Sequence, residues 1–153
     1  MKLIKYFENF NSDNLKVCAF DDLPYKYKLS IIIYMYEGDS IEWSQFDIED
    51  WIKDKSKVDK LIDDYSKIFG DRKFEYGELS LDFLINEIMP EVDFYTFDEY
   101  HNWYITTGEV KKHETILPII VTDKNVEFIE DGWHRFHHYV NIGLKNIPVV
   151  KLS

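Results

Sequence analysis

Residues Glu130-Asp131-Gly132-Trp133-His134-Arg135 hold the most chemistry in the fewest positions. An apolar run precedes them and a helical pattern follows, so the six span a strand-to-helix turn. The start of a helix exposes backbone N–H groups with no intrahelical partner, at the positive end of the helix dipole. That is an anion site in outline. Gly132 lets the backbone approach a phosphate closely. Arg135 supplies a planar fork of donors for phosphate oxygens, and His134 a further donor or general acid. Trp133 stands within the same grip. Asp131 could cap the helix, or with Glu130 act through Mg²⁺ or a water molecule. Arg135 could instead pair with Glu130 or Asp131.

Other residues carry weaker signals. His134 and His138 are four apart on one helix face, with His137 beside them. A helical zinc motif also needs a Glu beside the first His and a third ligand. No Glu lies between these histidines, and nothing in the order of residues brings His101 or His113 near, so no metal site is expected. Cys18, between Val17 and Ala19, reads as a small buried hydrophobe. Trp43, Phe46 and Trp51 flank the acidic run Asp47–Asp50, and residues 94–104 are rich in aromatics. Both stretches suit core packing; each could also anchor a partner, and the second could stack a base.

The elements around the turn follow from pattern. Ile116–Thr122 is β-branched and apolar, a buried strand, and Asp123-Lys-Asn125 a tight turn. Val126–Glu130 alternates as a second strand. Trp133–Ile142 suits a helix stopped by Gly143, and Ile147–Leu152 a last strand. Upstream, Leu15–Phe20 could be a short strand. Asp22-Leu-Pro24 opens a helix over Tyr25–Glu37. Ser44 or Asp47 opens a longer helix running to Phe69, and Gly70 closes it. Ser80–Met89 and residues 97–107 read as two more helices. The expectation is one α+β domain of 153 residues, with a mostly helical acidic part (1–110) packed on a small mixed sheet (111–153).

The last third resembles the ParB/sulfiredoxin-like superfamily. The residues that carry the likeness are Pro118-Ile-Ile-Val121, Phe128-Ile129, Asp131–Phe136, Gly143-Leu144 and Ile147-Pro148-Val149-Val150. They come in the superfamily's order and cover about a quarter of the chain. The resemblance implies a strand–strand–helix–strand unit over 116–152. It also implies a phosphate or nucleotide ligand held by Gly132, Trp133, His134 and Arg135, with Mg²⁺ and ATP or CTP as candidate cofactors. His134, Asp131 and Glu130 would be the catalytic candidates for nucleotide hydrolysis or nuclease chemistry. Trp133 occupies the position of the sulfiredoxin cysteine, which argues against sulfinic-acid reductase activity. The Glu-Asn-x-x-Arg motif of ParB-type CTPases is missing, which argues against a DNA clamp.

Charge supplies a rival from another class. Residues 1–110 hold 12 Lys and Arg against 24 Asp and Glu, whereas residues 111–153 hold 6 against 5. An acidic body repels nucleic-acid phosphates and favours a basic partner. The alternative is therefore a non-enzymatic inhibitor or immunity-type protein that binds a basic protein, of the kind small phage, plasmid or toxin-system proteins provide. Nucleic acid is a doubtful ligand. The single cysteine excludes a disulfide within one chain. Residues 1–8 lack a signal-peptide apolar run, and Ile31–Tyr36 is too short to cross a bilayer. A cytoplasmic, soluble protein is expected.

Overall fold

The computed structural model describes residues 15–37, 50–107, 115–122 and 128–152. They form one five-stranded mixed sheet with helices on both faces. The strands are β1 (Lys16–Ala19), β2 (Lys73–Ser80), β3 (Ile119–Thr122), β4 (Ile129–Asp131) and β5 (Asn146–Leu152), in spatial order β1-β2-β5-β3-β4. β5 runs antiparallel to β2 and parallel to β3. β4 pairs antiparallel with β3 at the sheet edge, through a register shift between Ile120 and Val121.

The alternation along the strands sorts the core into two layers. Ile120 and Val150 face the layer that contains α1 (Tyr25–Glu37) and α2 (Lys55–Phe69). Ile119, Val121, Ile147 and Val149 face the other layer. That second layer contains α3 (Leu81–Ile88), α4 (Phe97–Thr107) and α5 (Trp133–Asn141). Central strands covered on both faces read as unbroken apolar runs, which is why Ile119-Ile-Val121 and Ile147–Val150 do. Leu29 and Ile31–Ile33 are all buried in α1, a β-branched run of poor helix propensity. Tertiary burial holds them, at about 1.5–3 kcal/mol for each fully buried side chain. A buried hydrogen bond from Ser30 Oγ to the Pro118 carbonyl (2.7 Å) ties α1 to the approach of β3.

Three expectations need correction. The acidic part does not only pack on the sheet: it contributes β1, the short strand expected within Leu15–Phe20, and also β2. The Phe74-x-Tyr76 alternation of β2 was there to be read, and Ser80 at its end caps α3 by accepting the Phe83 N–H at 3.1 Å. The helix expected to run through Trp51 to Phe69 is broken. Residues 52–53 form a turn, and Asp54 begins α2 afresh by accepting the Lys57 N–H at 3.3 Å. Strand β3 is shorter than 116–122, because Ile116, Leu117 and Pro118 approach it as irregular chain. Trp43, Phe46, Asp47, His113 and the Asp123–Asn125 turn lie outside the described residues.

Candidate functional site

β4 ends at Asp131, and Gly132 turns the chain into α5 with φ +99° and ψ +25°. This left-handed conformation suits glycine, and the surroundings demand it a second time. A Cβ on Gly132 would lie 2.8 Å from Ile119 Cγ2 and 2.9 Å from Arg135 Nη2. The Phe136 N–H returns to the Gly132 carbonyl at 2.8 Å and closes the first turn. No side chain caps the helix, so Asp131 does not play the capping part its position suggested. The amides that open α5 lack an intrahelical acceptor by the geometry of a helix start.

Arg135 curls back beneath this turn. It is only 3% exposed, and its Nη2 sits 3.4 Å from Asp131 Oδ2. Its Nε is buried and has no hydrogen-bond partner among the described residues. The sequence left two destinations for Arg135, a ligand or a neighbouring carboxylate. The guanidinium has reached Asp131 and retains a donor in reserve.

Strand alternation separates the two acids. Asp131 shares its side of the sheet with Ile129 and α5, whereas Glu130 points to the α1 side. There Glu130 Oε1 accepts the Tyr34 hydroxyl at 2.9 Å. Burial first, and then this hydrogen bond, push the Tyr34 hydroxyl up to about 12. Asp131, Gly132 and Arg135 therefore converge, while Glu130 lies across the sheet from them. Trp133 is half-buried on the α5 layer. His134 is exposed, with its ring 5.4 Å from that of Tyr104.

No protein-family model, curated protein or solved structure matches this chain.

One turn further along α5 lies a group that sequence spacing had not assembled. His137 is fully buried, and its Nδ1 is 2.7 Å from Nδ1 of His101 on α4. His101 Nε2 is in turn 2.8 Å from Asn141 Oδ1. Tyr104 stacks on the His137 ring at 3.9 Å, and burial pushes its hydroxyl up to about 12. Burial, reinforced by His101 and His134, lowers His137 to about 3. The i, i+4 pair is divided by the helix surface: His134 faces solvent and His138 is buried. Among the described residues no three His, Cys, Asp or Glu side chains gather as a metal site would require. The signal for the His101–His137 pairing was the aromatic density of residues 94–104, which matches a helix built to bury rings.

Proposed function

We propose that the start of α5 binds a phosphate group, most simply that of a nucleotide, through the backbone amides after Gly132 with His134 as an exposed donor. The observation that carries this reading is the placement of Arg135. A carboxylate beside exposed amides would repel an anion, and Asp131 is such a carboxylate. Arg135 holds it from beneath and offsets its charge beside the amides that open α5. The uncapped helix start favours the same ligand chemistry. Trp133 supports the turn from within, and Glu130 has no part in it. Hydrolysis of a bound nucleotide would fall to His134 as acid, with Asp131 acting through Mg²⁺ or water. The resemblance to ParB/sulfiredoxin-like proteins adds to this reading.

The test is thermal stabilisation by ATP, CTP, GTP, ADP and inorganic phosphate, each with and without Mg²⁺. A ligand that binds only the folded state stabilises it by about 2.7 kcal/mol at a hundredfold excess over Kd. At least one nucleotide is expected to raise the melting temperature, and His134→Ala to weaken the effect. If none of these ligands shifts the transition, the proposal is wrong.

A further inference from the structure

Residues 74–110 contain nine Asp and Glu and no Lys or Arg. On the folded chain this stretch displays two large aromatics that the core does not take up. Tyr95 is 97% exposed, and Trp103 on α4 is 51% exposed. Asp93, Asp98 and Glu99 of the same stretch are exposed too. Trp103 is not loose. Its ring packs 5.6 Å from Phe94 and lies nearly parallel to Tyr100 at 6.5 Å, so one side is fixed and the other faces solvent. A packed, half-exposed Trp and a fully exposed Tyr on one stretch with exposed carboxylates and no cation have the make-up of an interaction surface.

We infer that this face docks an arginine- or lysine-rich segment of a protein partner. Charge decides between possible occupants. A nucleic acid or an anionic lipid surface would bring like charge against the carboxylates, and so would a second copy of this chain. A cationic segment meets both features at once. Its guanidinium or ammonium groups can lie over the Trp and Tyr rings while the carboxylates neutralise them. Arginine should be preferred to lysine, because its flat fork both stacks on a ring and bridges to a carboxylate. This face adjoins the Gly132 turn, through Tyr100 against Trp133 and Tyr104 against His134, but it takes a cation where the turn takes an anion, so each is tested with its own ligand.

The experiment uses the full chain and labelled nine-residue poly-arginine and poly-lysine peptides, read by fluorescence anisotropy. Poly-arginine should bind more tightly than poly-lysine, and added salt should weaken both. Trp103→Ala and Tyr95→Ala should each weaken poly-arginine binding by roughly tenfold, whereas Trp103→Phe keeps a ring and stays near wild type. The set Asp93→Asn, Asp98→Asn, Glu99→Gln should weaken it comparably. The matched set Asp59→Asn, Asp63→Asn, Asp64→Asn, on the exposed side of α2, should change it less than twofold. Equal loss from both sets would mean diffuse acidity and would overturn the inference, as would undiminished binding by Trp103→Ala. Self-association or oligothymidine binding abolished by Trp103→Ala would overturn it in favour of a different occupant. Circular dichroism of each variant separates lost docking from lost fold.

Discussion

His101 and His137 present Nδ1 to Nδ1 across 2.7 Å, so one of the two rings must donate and the other accept. The far end of the chain sets the direction. Asn141 Oδ1 can only accept, which places a proton on His101 Nε2 and leaves His101 Nδ1 as a bare acceptor in the neutral ring. His137 then donates through Nδ1–H and keeps an unprotonated Nε2. That Nε2 is buried with no partner among the described residues. An added proton would have to sit there, against aromatic rings and beside two other histidines. This is the physical origin of the low proton affinity of His137.

The consequence is an acid-sensitive fold. A histidine with an ordinary value near 6.5 when unfolded and about 3 when folded binds its proton preferentially in the unfolded chain. Its contribution is fully present above about pH 6.5. Stability is lost as pH falls, by roughly 1.4 kcal/mol per unit, down to about pH 3. Urea unfolding of wild type and His137→Gln between pH 4 and pH 7 checks this. The wild type should show the steeper acid limb, and parallel limbs would remove His137 as the cause.

Gly132 and Gly143 make a controlled pair, since both have positive φ, +99° and +80°. An alanine at Gly143 meets nothing within 4 Å, so it carries only the backbone cost of about 1 kcal/mol. An alanine at Gly132 also drives its Cβ into Ile119 and Arg135. Gly132→Ala should therefore cost at least about 1–3 kcal/mol more than Gly143→Ala in chemical denaturation. Equal losses would show that Ile119 and Arg135 can move aside freely.

The Asp131–Arg135 pair can be taken apart in a double-mutant cycle. Asp131→Asn leaves a guanidinium buried without its carboxylate, and the expected loss is about 3 kcal/mol, the lower end of the range because Asp131 is partly exposed. Arg135→Met with Asp131→Asn should recover much of that loss, because the stranded charge has gone. If the double variant is less stable than Asp131→Asn alone, the guanidinium matters mainly through its packing.

Tyr139 carries a different load. Its hydroxyl accepts the Leu117 N–H at 2.9 Å and donates to the Leu117 carbonyl at 2.7 Å, all within the core. Leu117 approaches β3 with no strand partner, so this one side chain satisfies both of its backbone groups. Tyr139→Phe keeps the ring and strands the pair, and should cost about 2–3 kcal/mol by thermal or urea unfolding. A loss below about 0.5 kcal/mol would mean that water takes over the two bonds.

The strand, turn and helix around Gly132 were legible because each had a local cause. Apolar alternation marked β4, glycine the left-handed turn, and Trp133, Phe136, Tyr139 and Val140 the inward side of α5. The α+β class followed from the same patterns. The fate of the charged residues was less accessible. Period-two alternation would have put Glu130 and Asp131 on opposite faces, yet only the packing of α1 reveals that Tyr34 receives Glu130. Arg135 turned inward because a carboxylate four residues earlier lay within its reach, a choice that local pattern leaves open. The His101–His137 contact joins two helices distant in sequence, and no spacing rule encodes a crossing between helices. Strand β2 carries a shorter signal: Phe74 and Tyr76 alternate toward one layer, but Glu78 interrupts that face and Leu79 belongs to the other layer.

The central place of β5 bears on how the chain must be made. Residues 146–152 are hydrogen-bonded on one side to β2 and on the other to β3. During vectorial synthesis the facing edges of β2 and β3 have no partner until those seven residues clear the ribosome. The helices and the β3–β4 pair are local, and β1 can meet β2 across the intervening helices, but the two halves of the sheet cannot join. Loop closure over so long a span is slow, and open strand edges invite pairing with other chains in the interval. A nascent chain arrested before residue 146 should therefore remain protease-sensitive and bound by chaperones, and release of β5 should close the sheet in one cooperative step.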